Sequence, residues 1–160
     1  MNLYSNNIAV IDLNFIINNS THYLEISKKI TDSQIEFKNS FQVKENELLE
    51  KKKDLENSKV ILNDQEFESK KKEYYDEVLK FENEVSLFNK HYENEIINIK
   101  NFLYSQITEI VQKYAANNEY ELILEKNQYL IVADKLDITD IIFNKLNNLK
   151  IELTFKIYGN

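Results

Sequence analysis

Apolar residues recur at helical spacing through one long stretch, Ser20 to Asn117, which contains neither glycine nor proline. In its second half, one seven-residue register carries aromatic rings and is interrupted only by Glu95. The positions four residues after Tyr74, Phe81, Phe88 and Glu95 are also apolar. The register holds Phe67, Tyr74, Phe81, Phe88 and Phe102, and the partner positions hold Val78, Val85, Tyr92 and Ile99. This a/d pattern runs over about five repeats and predicts a coiled coil.

The first half of the stretch carries a seam of its own, formed by Tyr23, Ile30, Phe37, Phe41, Leu48, Leu55 and Leu62. One unbroken helix would be about 150 Å long with little else in the chain to brace it, so the pattern favours a hairpin. Asn63 and Glu66 have the spacing of a helix N-cap and its capping-box partner, which places the tip near Val60 to Asp64. The predicted arms are Thr21 to Ile61 and Asp64 to Asn117.

The seam is thin towards the tip, because Lys44, Lys51 and Ser58 occupy positions that a tight coiled coil fills with Ile or Leu. Such arms should be held together weakly and should flex. The aromatic register itself either forms the seam, which heptad spacing favours, or lines a binding cavity. Phe41 and Tyr75 are the candidates for exposed aromatic contacts.

The flanking segments predict a small β-rich body. Ile8 to Asp12 is an apolar, β-branched run typical of a buried strand, and Tyr120 to Glu125 with Tyr129 to Ala133 predict a β-hairpin. Asp137 is the expected cap of a C-terminal helix. The segment Ile151 to Tyr158 alternates apolar and polar residues and is a candidate for a further strand.

The predicted fold is therefore α+β and mostly helical, with a long antiparallel helical hairpin on a small β body that also holds the C-terminal helix. The arm spans residues 20–117, and the body comprises residues 8–19 and 118–160. A sheet with so few strands is too small to be stable alone, so we expect strands from neighbouring subunits to complete it. The residues expected in this shared body are Ile8, Val10, Ile11, Leu122, Ile123, Leu124, Leu130, Ile131 and Val132.

Composition excludes several classes of function. The net charge is −7 and all 20 basic residues are lysines, which argues against nucleic-acid binding. Without cysteine there is no disulfide or thiolate metal site. His22 and His91 stand alone, with no partner spaced for metal binding or nucleophilic catalysis, and are expected at a surface or interface. We expect no catalytic residue, no cofactor and no metal.

Two lysine triplets are candidates for a binding surface: Lys51, Lys52, Lys53 and Lys70, Lys71, Lys72. A turn near Leu62 places them at the same height on opposite arms. They would then form a basic belt that contacts anions, clients or a membrane surface. The alternative, which we favour, is a solvated face whose lysines pair with carboxylates on the same helix.

The opening IAVIDLNFII, the uninterrupted arms and the closing YELILEKNQYLIVADKLDITDIIFNKLN together resemble the Skp/OmpH family of periplasmic chaperones. The closing block is the more specific part, since arms alone resemble many coiled coils. Its matching positions are Tyr120, Leu122, Leu124, Lys126, Asn127, Ala133, Asp134, Leu136, Asp137, Ile138, Thr139, Asp140, Leu146 and Asn147.

The resemblance implies a homotrimer with a shared β-barrel body and three projecting hairpins that surround a cavity. It implies an ATP-independent holdase in the periplasm that binds unfolded outer-membrane proteins, with any signal peptide already removed from this sequence. Two features depart from the family: the chain is acidic where the best-known members are basic, and a tail follows Leu149.

Two other functions remain open. A structural or tethering coiled-coil protein would bind one defined partner. A prefoldin-like chaperone fits less well, because in that class the strands lie between the helices, whereas here they flank them. No run approaches the about 18 apolar residues of a membrane span.

Overall fold

A computed structural model describes residues 7–159 of the chain. Two strands and four α-helices follow one another, with 3₁₀ turns at Lys126–Gln128 and Asp134–Leu136 between β2 and α4. In chain order the elements are β1 (Ile8–Ile11), α1 (Leu13–Asn19), α2 (Thr21–Ser58), α3 (Asp64–Asn117), β2 (Leu122–Glu125) and α4 (Thr139–Asn147). The chain is mostly helical, as the sequence predicts.

The chain divides into two compact units, and the division falls inside both long helices. The first unit comprises the chain up to Lys29 together with Glu95–Phe155, and the second comprises Ile30–Asn94 with the tail from Lys156. The first unit therefore contains both strands, α1, α4 and one end of each long helix. The sequence instead predicts a boundary between body and arm at the helix ends, near residues 20 and 117. That boundary stays a prediction.

The first unit is built around a parallel pairing of β1 with β2, in which Ile8 lies opposite Leu122 and Ile11 opposite Glu125. This pairing confirms that strands from the two sides of the helical stretch meet. Ile99, Leu103 and Ile107 recur every four residues on α3 and are buried, as one helix face requires. The other buried apolar residues of this unit are Ala9, Val10, Ile11, Ile16, Ile17, Ile26, Ile138, Ile142 and Leu146.

The predicted hairpin between Tyr120–Glu125 and Tyr129–Ala133 is wrong. Only Leu122–Glu125 is a strand, and a 3₁₀ turn follows in which Gln128 Oε1 accepts a hydrogen bond from the Glu125 N–H at 3.1 Å. A tight two-residue hairpin needs positive φ angles, and no residue of Lys126–Gln128 has one. Tyr129–Ala133 is not a strand.

The tail after Leu149 is also not a strand, although its sequence alternates. Ile151, Leu153 and Phe155 are half-buried while the residues between them are exposed. Glu152–Thr154 line a depression with Glu95 and Phe102 of α3, so this part of the tail lies along a helix. Alternation reports one covered face, and here the cover is a helix rather than a neighbouring strand.

The ends of the long helices follow the predicted caps closely. Asn63 Oδ1 accepts a hydrogen bond from the Glu66 N–H at 2.9 Å, as expected for the start of α3. The outgoing helix ends at Ser58 rather than Ile61, because residues 59–62 form the turn. After α3, Glu119 adopts the left-handed conformation, with φ of 57°.

Asp12 joins three parts of the first unit. Its Oδ1 accepts a hydrogen bond from the Phe15 N–H at 2.8 Å and so caps α1, and its Oδ2 accepts one from Lys126 Nζ at 2.8 Å. Its own N–H donates to Thr139 Oγ1 at 2.9 Å. Burial acts to raise the pKa of Asp12, but the hydrogen bonds from Lys126 and Phe15 outweigh it, so this pKa lies below the usual 3.8.

We predict that Asp12→Ala lowers the free energy of unfolding at pH 7 by about 1–2 kcal/mol, because it removes the cap and the ion pair. A lowered folded-state pKa means that the ionic contribution is fully present above the ordinary pKa. It is lost as pH falls through the lower folded-state value. Urea denaturation should therefore show that the difference between Asp12→Ala and the native chain shrinks as the pH falls below the usual pKa of 3.8.

The matched control is Glu121→Ala, at an exposed carboxylate of the same unit. This control should change the free energy of unfolding by less than about 0.5 kcal/mol, both at pH 7 and in acid. If Asp12→Ala and Glu121→Ala unfold alike at pH 7, Asp12 does not hold these elements together.

Candidate functional site

The second unit is an antiparallel pair of helix segments held by a seam of aromatic rings. Phe41 packs edge-on against Phe81 and Phe88, with centroids 6.0 and 5.1 Å apart, and Phe37 lies 5.6 Å from Phe88. Ser33 Oγ donates a hydrogen bond to the hydroxyl of Tyr92 at 3.1 Å. Contacts that advance along α2 as they retreat along α3 are those of a hairpin. The aromatic register therefore forms a seam within this unit.

Of the two aromatic residues expected to be exposed, the structure exposes one. Tyr75 is 54% exposed, whereas Phe41 is half-buried and belongs to the seam. The expectation of an exposed Phe41 is therefore corrected. The register step of four residues between Phe37 and Phe41 turns both rings towards Phe88, a relation that a strict heptad count does not show. A role for Tyr75 in binding stays a prediction.

Towards the tip, polar contacts replace apolar ones across the seam. Lys51 Nζ donates to both carboxylate oxygens of Glu77, at 2.7 and 2.6 Å, and Lys44 Nζ lies 3.9 Å from the same group. The hydrogen bond from Lys51 is the main reason that the pKa of Glu77 lies below its usual value. Ion pairs this exposed contribute little to stability, because solvent screens the two charges. The helices are therefore joined weakly here.

The two lysine triplets do lie near each other, since Lys51 and Lys70 line one depression between the helices. Asp54, Glu73 and Glu77 line the same depression, so carboxylates stand among the lysines. Lys53 pairs with Glu50 at 2.7 Å and Lys71 with Glu68 at 3.2 Å, each three residues apart on one helix. These partners offset much of the positive charge. Lys52 and Lys72 are exposed.

Both helices of the second unit also carry a stripe of exposed apolar residues outside the seam, of which the sequence analysis identified only Tyr75. On α2, Ile35, Val43 and Leu49 are 50%, 58% and 52% exposed. On α3, Tyr75, Leu79 and Leu87 are 54%, 62% and 50% exposed. At about 100° per residue, each set falls within about 120° of its helix circumference. A signal for these stripes was present in the sequence. Apolar residues recur at helical spacing, but offset from the seam register, at positions 35 and 43 and at positions 75, 79 and 87.

The expected body residues divide into a buried and an exposed group. Val10 and Ile11 are buried in the core of the first unit, and Ile123, Leu124 and Val132 are half-buried. Ile8 and Leu122, which are paired in the sheet, are 40% and 46% exposed, and Leu130 and Ile131 are 96% and 87% exposed. The unit thus presents large apolar side chains to solvent in and after its strands.

Polar chemistry in the described residues is sparse. One groove of the first unit brings Asp134, Asp137 and Asp140 near Asp12 and Lys126. Within residues 7–159, no group of three or more His, Cys, Asp or Glu side chains is arranged to hold a metal ion. None of the described helices combines the length and the apolar character needed to cross a bilayer.

The comparisons with known proteins agree with this architecture. The family described as "Outer membrane protein (OmpH-like)" matches residues 7–146, which is most of the chain. The chain belongs to the OmpH-like family. Among the curated proteins, none matches its sequence.

A solved OmpH-like protein has the same fold. This protein is a candidate outer membrane chaperone from Caulobacter crescentus CB15, known from a crystal structure. Its sequence is 13% identical to this chain, and the two structures superpose with a TM-score of 0.76. The match covers 94% of this chain and 89% of that one. At this identity the likeness shows the fold, and it confirms long helices with a small sheet and a C-terminal helix. Neither comparison points to an enzyme.

We predict that replacing all six triplet lysines with glutamine changes binding to anionic vesicles at low salt by less than about twofold, because carboxylates already neutralise the belt. Vesicle co-sedimentation measures this. Replacing six other lysines, Lys28, Lys29, Lys38, Lys80, Lys90 and Lys113, changes net charge equally and serves as the control. A loss of tenfold or more for the triplets alone would establish the belt as a contact surface.

Proposed function

We propose that this protein is an ATP-independent holdase chaperone of the periplasm, which binds unfolded outer-membrane proteins and prevents their aggregation. Membership of the OmpH-like family supports the chaperone class, and the OmpH-like neighbour is described as a candidate outer membrane chaperone. The observation that carries the proposal is the exposed apolar stripe on each helix of the second unit.

These stripes suit weak binding at many points. Because these side chains are about half exposed, covering one offers roughly half of the about 1.5–3 kcal/mol that burial of a fully exposed side chain contributes. Contacts along one client chain add through effective concentration. Charged and amide residues between the apolar ones keep each stripe discontinuous, so that no single site dominates. The loosely joined helices near Lys51 and Glu77 would let the surface adapt to different clients.

The proposal predicts suppressed aggregation of a urea-unfolded outer-membrane protein on dilution, with no nucleotide present. Replacing Ile35, Val43, Leu79 and Leu87 with serine should reduce the suppression at least about fivefold, because it removes apolar contact area while leaving the seam intact. Light scattering measures the rate of aggregation. The matched control places serine at the exposed polar positions Asn39, Asn46, Asn83 and Asn89 and should retain activity.

The rival function has a distinct outcome. If the native chain fails to delay aggregation but binds one folded partner at a fixed stoichiometry, it is a tethering protein. If the serine variant and its control suppress aggregation equally, the stripes do not bind the client.

We also propose that the protein acts as a homotrimer in which neighbouring subunits complete the sheet. Two paired strands are too few for an independent sheet, and Leu130 and Ile131 expose apolar surface directly after it. The segment Tyr129–Ala133 is apolar and β-branched, and a neighbour's strand would supply the partner that its own chain does not.

Sedimentation equilibrium should therefore show a trimer, and Leu130→Lys with Ile131→Lys should dissociate it, because charges would be buried at the interface. The control pair is Asn101→Lys with Gln112→Lys, at exposed positions of α3 in the same unit. A native chain that is monomeric at all accessible concentrations would contradict the shared sheet.

A further inference from the structure

The end of the tail occupies an aromatic site in the second unit that neither the family match nor the client proposal explains. The centroid of the Tyr158 ring lies 5.5 Å from the ring centroid of Phe37, 5.5 Å from that of Phe88 and 5.6 Å from that of His91. All three pairs are edge-on. Three rings from two helices thus surround one inserted ring. Edge-on pairs of this kind add about 0.5–1.5 kcal/mol each beyond the area they bury.

Two side chains of α3 also bind the backbone of the tail. His91 Nε2 lies 2.7 Å from the carbonyl oxygen of Lys156, which can only accept, so the ring nitrogen carries the proton and donates. The N–H of Tyr158 donates to the hydroxyl of Tyr92 at 3.4 Å. Both contacts are to backbone groups, which every peptide segment without proline at the second of these positions also offers.

The tail covers surface that is otherwise typical of a core. Phe88 and Tyr92 are each 2% exposed and are among the most buried residues of the second unit. Tyr158 contacts the Phe88 ring and donates its N–H to Tyr92, so its departure would open this aromatic surface. The tail also lies beyond residues 7–146, which the family shares.

We propose that Phe37, Phe88, His91 and Tyr92 form a binding site for an extended peptide segment with an aromatic side chain. Residues 156–158 occupy this site, and an unfolded client segment of the same chemistry displaces them. The displacement rests on the proposed holdase function, whereas the peptide site does not. The chain's own tail is the argument for the occupant: residues 151–157 form neither helix nor strand, a carbonyl and an N–H of its backbone bind to α3, and it inserts a tyrosine.

The test uses a fluorescein-labelled peptide with the sequence of residues 151–159 and measures its binding by fluorescence anisotropy. A chain that ends at Phe155 should bind the peptide at least about tenfold more tightly than the full chain, whose attached tail competes at high effective concentration. A peptide with serine in place of Tyr158 should bind the shortened chain at least about tenfold more weakly.

The contribution of the backbone contacts is measured in the shortened chain. His91→Phe keeps a ring but removes the donor and should weaken peptide binding about fivefold or more. His22→Phe is the matched control, because His22 Nε2 also contacts a backbone carbonyl, that of Leu146 at 3.1 Å, but in the first unit. It should bind the peptide as the shortened chain does.

Circular dichroism first shows whether the shortened chain retains its helices. If it does not, the full chain with Tyr158→Ala replaces it and should bind the peptide more tightly than the native full chain. Equal binding by the native and altered chains, or none by either, overturns the peptide site.

Competition then tests displacement. An unfolded outer-membrane protein should release the labelled peptide from the shortened chain. If the client does not compete although the chain suppresses its aggregation, displacement is overturned and the holdase function stands. If aggregation is not suppressed, the holdase proposal fails, and the peptide measurements still decide the site. Release by added full chain, but not by client, would identify a second copy's tail as the occupant and would also overturn displacement.

Discussion

The parallel pairing of β1 with β2 is the constraint on which the first unit depends. Almost the whole helical stretch lies between Ile11 and Leu122 in sequence, so the pairing requires the chain to return to its starting point. Asp12 extends the junction by capping α1, contacting Lys126 after β2 and donating its N–H to Thr139. A sheet of two strands has little cooperativity of its own, and the helices packed around it supply most of the buried apolar surface.

The second unit follows a different physical logic. Its aromatic seam is densest around Phe88, where rings from both helices and the tail converge. Nearer the tip the helices are joined by exposed ion pairs, which contribute little once solvent screening is considered. Further apolar side chains are exposed on both helices outside the seam. An unfolded polypeptide offers the same kind of surface, which is why a loosely joined hairpin suits a holdase.

The tail shows how one sequence pattern can have two structural explanations. Alternation from Ile151 to Tyr158 predicts a strand with one covered face, and that face is covered from Ile151 to Phe155, whereas Ile157 is exposed. Residues 152–154 lie beside α3, and at the end of the tail His91 and Tyr92 bind the backbone through their side chains instead of through a β-ladder. A segment held by side chains can be exchanged for another of similar shape, whereas a central strand of a sheet cannot be replaced without breaking its ladder.

The sequence by itself determined the helical hairpin and its cap at Asn63, because heptad spacing and capping are local properties. The meeting of the terminal strands followed from the hairpin, since a chain that folds back returns to where it started. The sequence also carried the closing block that resembles the family. Only the tertiary structure decided that Phe41 lies in the seam, that Tyr129–Ala133 forms no hairpin and that Tyr158 inserts among rings of α2 and α3. Each of these depends on which surface a segment meets in space, and neither periodicity nor propensity contains that information.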